Sequence, residues 1–394
     1  MRIGIFGGTF NPPHLGHLAA ARAAVSQFSL DRLLLVPAGL PPHKMLPAKS
    51  PDAAQRLAMT QLAAGYLELP DRTEVLDLEL TREGRSYTAD TLRELAARYP
   101  GAELWLLMGS DMFLSFESWH APEEIIKAAT LLTFDRAEEG GELARQRERL
   151  LAAYPGARIE LMRVPDVVDI SSTELRTGLS RGEGERYLPP AVYGYILREH
   201  LYGTCADLKH LSLEQLRPVA LSYLKHKRIP HVLGTEREAV RLAETYGADV
   251  QKARVAALLH DCTKKLTMEE QLELCTHYHI ELDELEKNAL KLLHAKTGAA
   301  LARDVFGVDD EIYSAILWHT TGRAGMSLLE KIIYLADYIE PTRDFPGVDK
   351  LRKVCYDSLD TGLLLGLTMT VQEMTEMGNP VHKNTIEARD SLKG

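Results

Sequence analysis

The run Gly7-Gly8-Thr9-Phe10-Asn11-Pro12-Pro13-His14-Leu15-Gly16-His17 constrains the fold more than any other part of this sequence. It follows the apolar Ile3-Gly4-Ile5-Phe6 and leads into an alanine-rich helical pattern from Leu18 to Val25. A strand, a glycine turn and a helix start in that order make an anion site. Small residues let backbone N–H groups approach phosphates, and the helix dipole adds partial positive charge. Gly7, Gly8, Thr9 and Phe10 are therefore expected to border a phosphate ligand. His14 and His17, three residues apart, can face that ligand from one side of the turn. With no carboxylate or cysteine close by, the pair suits a triphosphate better than a metal.

The grammar of the chain changes near its middle. Up to about residue 203, the apolar runs Leu33 to Val36, Leu104 to Met108 and Leu131 to Phe134 are interspersed with helical patterns. Such runs predict a parallel sheet covered on both faces, an α/β Rossmann-like domain over 1–203. The charged stretch Glu138 to Arg149 reads as a solvated helix. Beyond a linker at 204–212 the strand signals stop. Helices are expected at Leu216–Lys225, Glu236–Tyr246, Gln251–Leu259, Met268–His277, Leu285–Leu293 and Leu328–Ile339, giving an all-α domain over 213–394. With 394 residues and 45% hydrophobic content, the chain can bury two separate cores.

A net charge of −10 argues against nucleic acid or a membrane surface as partner. The four cysteines are scattered and read as reduced thiols. No apolar run approaches the roughly 20 residues of a membrane span, and the N-terminus has a glycine turn where a signal peptide would need its apolar core. A cytoplasmic protein is expected, and a homo-oligomer stays open.

The first motif resembles the signature of the nucleotidylyltransferase superfamily and, through Gly-Gly-Thr-Phe-Asn-Pro-Pro-His, the nicotinate mononucleotide adenylyltransferases. A second signature of that family is matched by Ile170-Ser171-Ser172-Thr173-Glu174-Leu175-Arg176, which by itself reads as a capped helix start. The resemblance implies transfer of AMP from ATP, accompanied by Mg2+, to nicotinate mononucleotide. His14 and His17 would donate to phosphate oxygens, Ser172 and Thr173 would border the triphosphate, and Arg176 would hold its outer phosphates. It further implies substrate contacts for Lys44, Thr88, Gly109, Asp111, Trp119 and Arg136. Gly109 and Asp111 follow an apolar run, where α/β sheets bind ligands. An indole such as Trp119 can carry a pyridine ring.

In the second half, His260-Asp261 ends the apolar run Val255 to Leu259. Asp337 lies in Ile332-Ile333-Tyr334-Leu335-Ala336-Asp337-Tyr338-Ile339, a helix expected to be mostly buried, so its carboxylate should be paired or metal-bound. His231, His294 and His319 complete the order His…His-Asp…His…His…Asp, which resembles the HD-domain phosphohydrolases. The strings His260-Asp261-Cys262-Thr263-Lys264-Lys265, Trp318-His319-Thr320-Thr321-Gly322 and Ala336-Asp337-Tyr338-Ile339-Glu340-Pro341 resemble the bacterial branch that splits diadenosine tetraphosphate into two ADP.

His231, His260, Asp261 and Asp337 are assigned to metal, His294 and His319 to metal or phosphate, and Lys264 to phosphate. Imidazole and carboxylate ligands suit iron, manganese or zinc equally. The resemblance implies iron, as a two-ion centre that binds phosphate oxygens and generates hydroxide. Two other readings share these ligands: a non-catalytic nucleotide sensor, and a hydrolase of RNA or nucleoside monophosphates.

Overall fold

The computed structural model describes residues 1–39, 47, 50–69, 71–134, 140–164 and 170–393. The chain divides into two compact units, Met1–Cys205 and Ala206–Gly394.

The first unit runs β1 (Arg2–Gly8), α1 (Leu15–Gln27), β2 (Arg32–Pro37), α2 (Ala53–Gly65), β3 (Thr73–Val75) and α3 (Thr88–Arg98). It continues with β4 (Glu103–Gly109), α4 (Ser110–Leu114), α5 (Pro122–Ala128), β5 (Ala129–Phe134), α6 (Gly140–Ala153), β6 (Ile159–Met162), α7 (Ser172–Leu179) and α8 (Pro190–Arg198). The strands form one six-stranded sheet in the order β3-β2-β1-β4-β5-β6, every pairing parallel. This is the Rossmann-like α/β domain that the apolar runs predict. One face of its core gathers Ile3, Ile5, Leu34, Val36, Leu106 and Met108 with Leu92, Leu95, Phe113 and Phe116 from the covering segments. The strand order reverses between β1 and β4. Ligands of open α/β sheets lie beyond the strand ends at such a point, and both Gly8 and Gly109 end strands there. Helix α6 is not purely solvated: Leu143, Gln146 and Leu150 are buried.

The second unit is helical: α9 (Leu213–Ser222), α10 (Ile229–Tyr246), α11 (Val250–Leu259), α12 (Met268–His277), α13 (Leu290–Phe306) and α14 (Asp310–Trp318). Then follow α15 (Leu328–Ile339), α16 (Val348–Asp357), α17 (Leu359–Glu376) and α18 (Lys383–Asp390). Three of the expected helices differ clearly in their bounds, the first being α9, which spans Leu213–Ser222 rather than Leu216–Lys225 because Ser212 caps it. Helix α10 starts at Ile229 rather than Glu236, because Pro230 sits in its first turn, where a missing N–H costs nothing. The expected helix at Leu285–Leu293 is instead a 3-10 turn, Glu286–Asn288, followed by the longer α13. Among the described residues no helix is long and apolar enough to cross a membrane.

Candidate active sites

In the first unit, His14 and His17 are built into the start of α1. His14 is the N-cap: its Nδ1 accepts from Gly16 N at 3.2 Å. His17 Nδ1 accepts from His14 N at 3.2 Å, so the two rings close a reciprocal box, 3.8 Å between centroids. Since both Nδ1 atoms accept, each neutral ring carries its proton on Nε2. The helix start thereby sets two histidines as N–H donors without requiring positive charge. A Cβ built at Gly7 would meet no protein atom within 4 Å, which fits a turn that a ligand can approach.

The second motif joins the first through Arg176. Ser171 caps α7 and exchanges hydrogen bonds with Glu174, which leaves Arg176 one turn in. Its guanidinium donates to Asn11 O at 2.8 Å and to Thr173 Oγ1 at 3.0 Å. Tyr202 donates to Asn11 Oδ1 at 2.7 Å, and burial pushes its phenol up. Residues 165 apart in sequence therefore share one loop.

Two further devices hold that loop. Arg56, 2% exposed, donates to Ala38 O at 2.6 Å, Thr9 O at 3.1 Å and Gly39 O at 3.4 Å, tying the exits of β1 and β2 together. A Cβ at Gly39 would strike the backbone oxygen of Glu79, so only glycine fits this passage. Across the switch point, Ser110 is buried and Asp111 exposed at the start of α4. Thr88 begins α3, Tyr87 stacks on His120 at 4.3 Å, and Trp119 packs on Phe116 at 5.4 Å. The buried Trp119 Nε1 has no hydrogen-bond partner. Lys44 and Arg136 lie outside the described residues.

In the second unit, the histidines and aspartates of the sequence pattern converge. His231 comes from α10, His260 and Asp261 from the end of α11, His294 from α13, His319 from the end of α14 and Asp337 from α15. Two groups share His260: His231, His260 and Asp337, and His260, Asp261 and His319. Within each, the donor atoms lie within 4.8 Å of one another. His294 Nε2 lies 3.0 Å from His319 Nε2 and 3.2 Å from Asp261 Oδ1. His260 Nε2 is buried without a hydrogen-bond partner. An unpartnered buried donor of this kind suits a cation, and the donor set fits a transition metal.

Burial lowers His260 and brings His294 and His319 down to about 4, so the latter two are neutral imidazoles at pH 7. His231 behaves oppositely: burial would lower it, but Asp337 and Glu340 outweigh that and raise it. Burial would likewise raise Asp261, yet His260, His294 and Lys264 hold it well below the usual carboxylate range.

Three cations edge the cluster. Lys264 Nζ is 2.9 Å from His294 Nε2, Arg228 Nε 2.5 Å from Asp261 Oδ2, and an Arg343 amine 2.7 Å from Asp337 Oδ1. All three are partly exposed, as is Asp337, so the cluster opens to solvent on its cationic side. Sequence reasoning did not single out Arg228, Arg343, Glu340, Arg56 or Tyr202. Only Glu340 left a trace, three residues after Asp337 in the string that carries the resemblance.

A third cluster, Asp283, Glu286 and His382, also has metal-like spacing. There His382 Nδ1 accepts from Asn384 N, so its proton sits on Nε2, 3.3 Å from Asp283 and 3.6 Å from Glu286. Lys296 also pairs with Glu286. These contacts tie the start of α18 to the segment before α13.

Comparison with known proteins agrees with this division. The cytidylyltransferase-like family model matches residues 5–178 and the HD domain model residues 228–342. A relative from Exiguobacterium sibiricum, named probable nicotinate-nucleotide adenylyltransferase, is 38% identical over 207 residues, 52% of this chain and 100% of its own length. The chain is a cytidylyltransferase-like unit followed by an HD unit. The symmetrical bis(5'-nucleosyl)-tetraphosphatase of Bacillus subtilis is 40% identical to the HD unit over 173 residues, 44% of this chain and 92% of its own length. The crystal structure of an HD superfamily hydrolase from Clostridium acetobutylicum, described as involved in NAD metabolism, is 45% identical. It covers 46% of this chain and 97% of its own, with a TM-score of 0.45.

Proposed function

We propose that the chain carries two activities: adenylyl transfer from ATP to nicotinate mononucleotide, giving deamido-NAD and pyrophosphate, and symmetrical hydrolysis of diadenosine tetraphosphate to two ADP. The first rests above all on the contact of Arg176 with Asn11 O, which sets the second motif beside the histidine box. The full-length match to an adenylyltransferase supports it. In this reaction a phosphate oxygen of the mononucleotide bonds to the α-phosphorus of ATP, and the bond to the β-phosphate oxygen breaks. The protein's part is in-line positioning and charge stabilisation. His14 and His17 donate Nε2–H to the oxygens of the reacting phosphate, Arg176 and the N-terminus of α7 with Ser172 and Thr173 bind the outer phosphates, and Mg2+ enters with ATP. Thr88, Asp111 and Trp119 contact the nucleotides, with the Trp119 indole beneath the pyridine. Lys44 and Arg136 complete the substrate contacts. The unpaired thiols, three of the four buried, fit a cytoplasmic setting.

In the HD unit, His231, His260, Asp261 and Asp337 would hold a transition metal, with iron and a two-ion centre implied by resemblance, and their donor atoms fall into groups of metal-like spacing. His319 and His294 would serve as ligands or phosphate contacts. When bound, such a centre supplies Lewis acidity and a nucleophilic hydroxide at neutral pH. Lys264, Arg228 and Arg343 stand at the open side, where they neutralise a polyphosphate and steady the departing ADP.

Two variants separate the activities. His17→Ala should lower adenylyl transfer by roughly 10² or more while hydrolysis persists. Asp337→Ala should remove metal and hydrolysis together while transfer persists. Normal turnover in the first variant, or full metal occupancy in the second by elemental analysis, would overturn the corresponding half. Parallel assays with nicotinamide mononucleotide, ADP-ribose and nucleoside monophosphates test the substrate assignments.

A further inference from the structure

The imidazoles of the HD cluster are aimed by different means. His260 and His319 each direct Nδ1 to the carbonyl three residues back, Ala257 O and Ile316 O, both at 2.6 Å. His231 instead meets a carboxylate: its Nδ1 lies 2.9 Å from Glu340 Oε1, 109 residues further along the chain. Its Nε2 faces Asp337 Oδ1 at 3.0 Å. Two carboxylates from the end of α15, three residues apart, therefore bracket one ring, one on the ligand side and one behind it.

Glu340 is fully buried. Thr342 N donates to its Oε2 at 2.7 Å and Thr342 Oγ1 to its Oε1 at 2.5 Å. Arg343 Nε stands 3.8 Å away. The space it occupies is made by Gly234, one turn beyond His231 on the same helix: a Cβ there would strike Glu340 Oε2. Glycine in a helix interior costs about 1 kcal/mol relative to alanine, and here the missing side chain is where the carboxylate lies.

We propose that Glu340 is a positioning residue of the metal centre, acting through His231, and that Gly234 provides the room it needs. The carboxylate accepts the Nδ1 proton, which leaves the Nε2 lone pair for metal and strengthens the imidazole as a ligand. The backbone carbonyls behind His260 and His319 carry no formal charge, so His231 is the ligand whose strength depends on a distant side chain. This inference rests on reading the HD cluster as a metal centre.

The test is zinc(II) affinity of the full-length, metal-stripped protein, by competition with a chromophoric chelator. Glu340→Gln, close in shape but uncharged, should weaken zinc binding by roughly 10- to 100-fold, with little change in the melting temperature of the stripped protein. Gly234→Ala should weaken it comparably by displacing the carboxylate. Thr342→Val, which removes one support but leaves the carboxylate behind His231, should bind zinc nearly as the parent does. Parental affinity in Glu340→Gln would overturn the proposal while leaving the metal reading intact. A parent that binds no zinc, iron or manganese would overturn both and is a distinct result. If Glu340→Gln does not fold, Glu340→Asp keeps the charge and shortens its reach. It should show the same loss, and parental affinity there would equally reject the role.

Discussion

Arg56 gives three of its donor contacts to backbone carbonyls, and two parallel strands leave the sheet through loops that it fastens. Burial lowers its pKa from the usual arginine value, but a guanidinium stays charged at any working pH. Removing it would leave Ala38 O and Thr9 O without that donor, and hydrogen bonds to charged groups contribute about 1.5–3 kcal/mol each. Arg56→Met, which keeps the apolar stem, should therefore reduce the urea unfolding stability of the first unit by about 2–4 kcal/mol. Arg56→Lys should restore little, because an ammonium cannot span the three carbonyls as a planar fork does. Unchanged urea stability of the methionine variant would mean that the loops are held by other contacts. A single arginine between alanines and leucines gives no hint of this in the sequence.

At the scale of elements, reciprocal caps set many of the boundaries. Asp52 with Gln55, Ser171 with Glu174, Ser212 with Gln215, Thr267 with Glu270 and Ser327 with Glu330 each close a capping box. Helix α14, which ends at the cluster histidine His319, starts with a simpler cap, Asp309 accepting from Ile312 N at 3.0 Å. Burial would raise that carboxyl, but the helix N–H groups and Lys252 together outweigh it and lower it below its usual 3.8. A carboxylate with a lowered folded pKa stabilises above its unfolded value and loses that contribution as pH falls through the folded one. Asp309→Ala should thus cost about 1 kcal/mol in chemical denaturation at pH 7, with the difference from parent shrinking below pH 4. A pH-independent difference would assign the loss to packing instead.

The same elements separate what could be read in advance from what could not. β1, β2, β4 and β5 were legible because their runs are apolar on both faces. β3 and β6 lie at the sheet edges and are short, and in β6 Glu160 and Leu161 are exposed, so no run marks them. The histidines and aspartates of the HD cluster stood out by type and order. Arg228, Arg343 and Glu340 did not, since isolated charges usually mark a solvated face, and only tertiary packing turns these inward.

For the whole molecule, each unit buries a core of its own, so the halves can be produced separately by dividing the chain between Cys205 and Ala206. If ATP occupies the acceptor place of the first unit, its terminal phosphate oxygen attacks the α-phosphorus of a second ATP. The products are diadenosine tetraphosphate and pyrophosphate. The isolated first unit, given ATP without mononucleotide, should then slowly accumulate diadenosine tetraphosphate, while the undivided chain should not. Chromatography that detects none from the isolated unit would leave the fusion without this clearing role.

The carbonyls behind His260 and His319 belong to the last turns of α11 and α14, where a helix has no further N–H to offer them. Two helices thus end against the cluster, each bringing the negative pole of its dipole toward a prospective cation. Because the aim comes from the main chain, the side chains of the buried Ala257 and Ile316 answer to core packing and not to the metal, so long as each helix stops at the same place. Inserting or deleting one residue near either end would turn a ring by about a hundred degrees, so this centre tolerates substitution far better than a change of length.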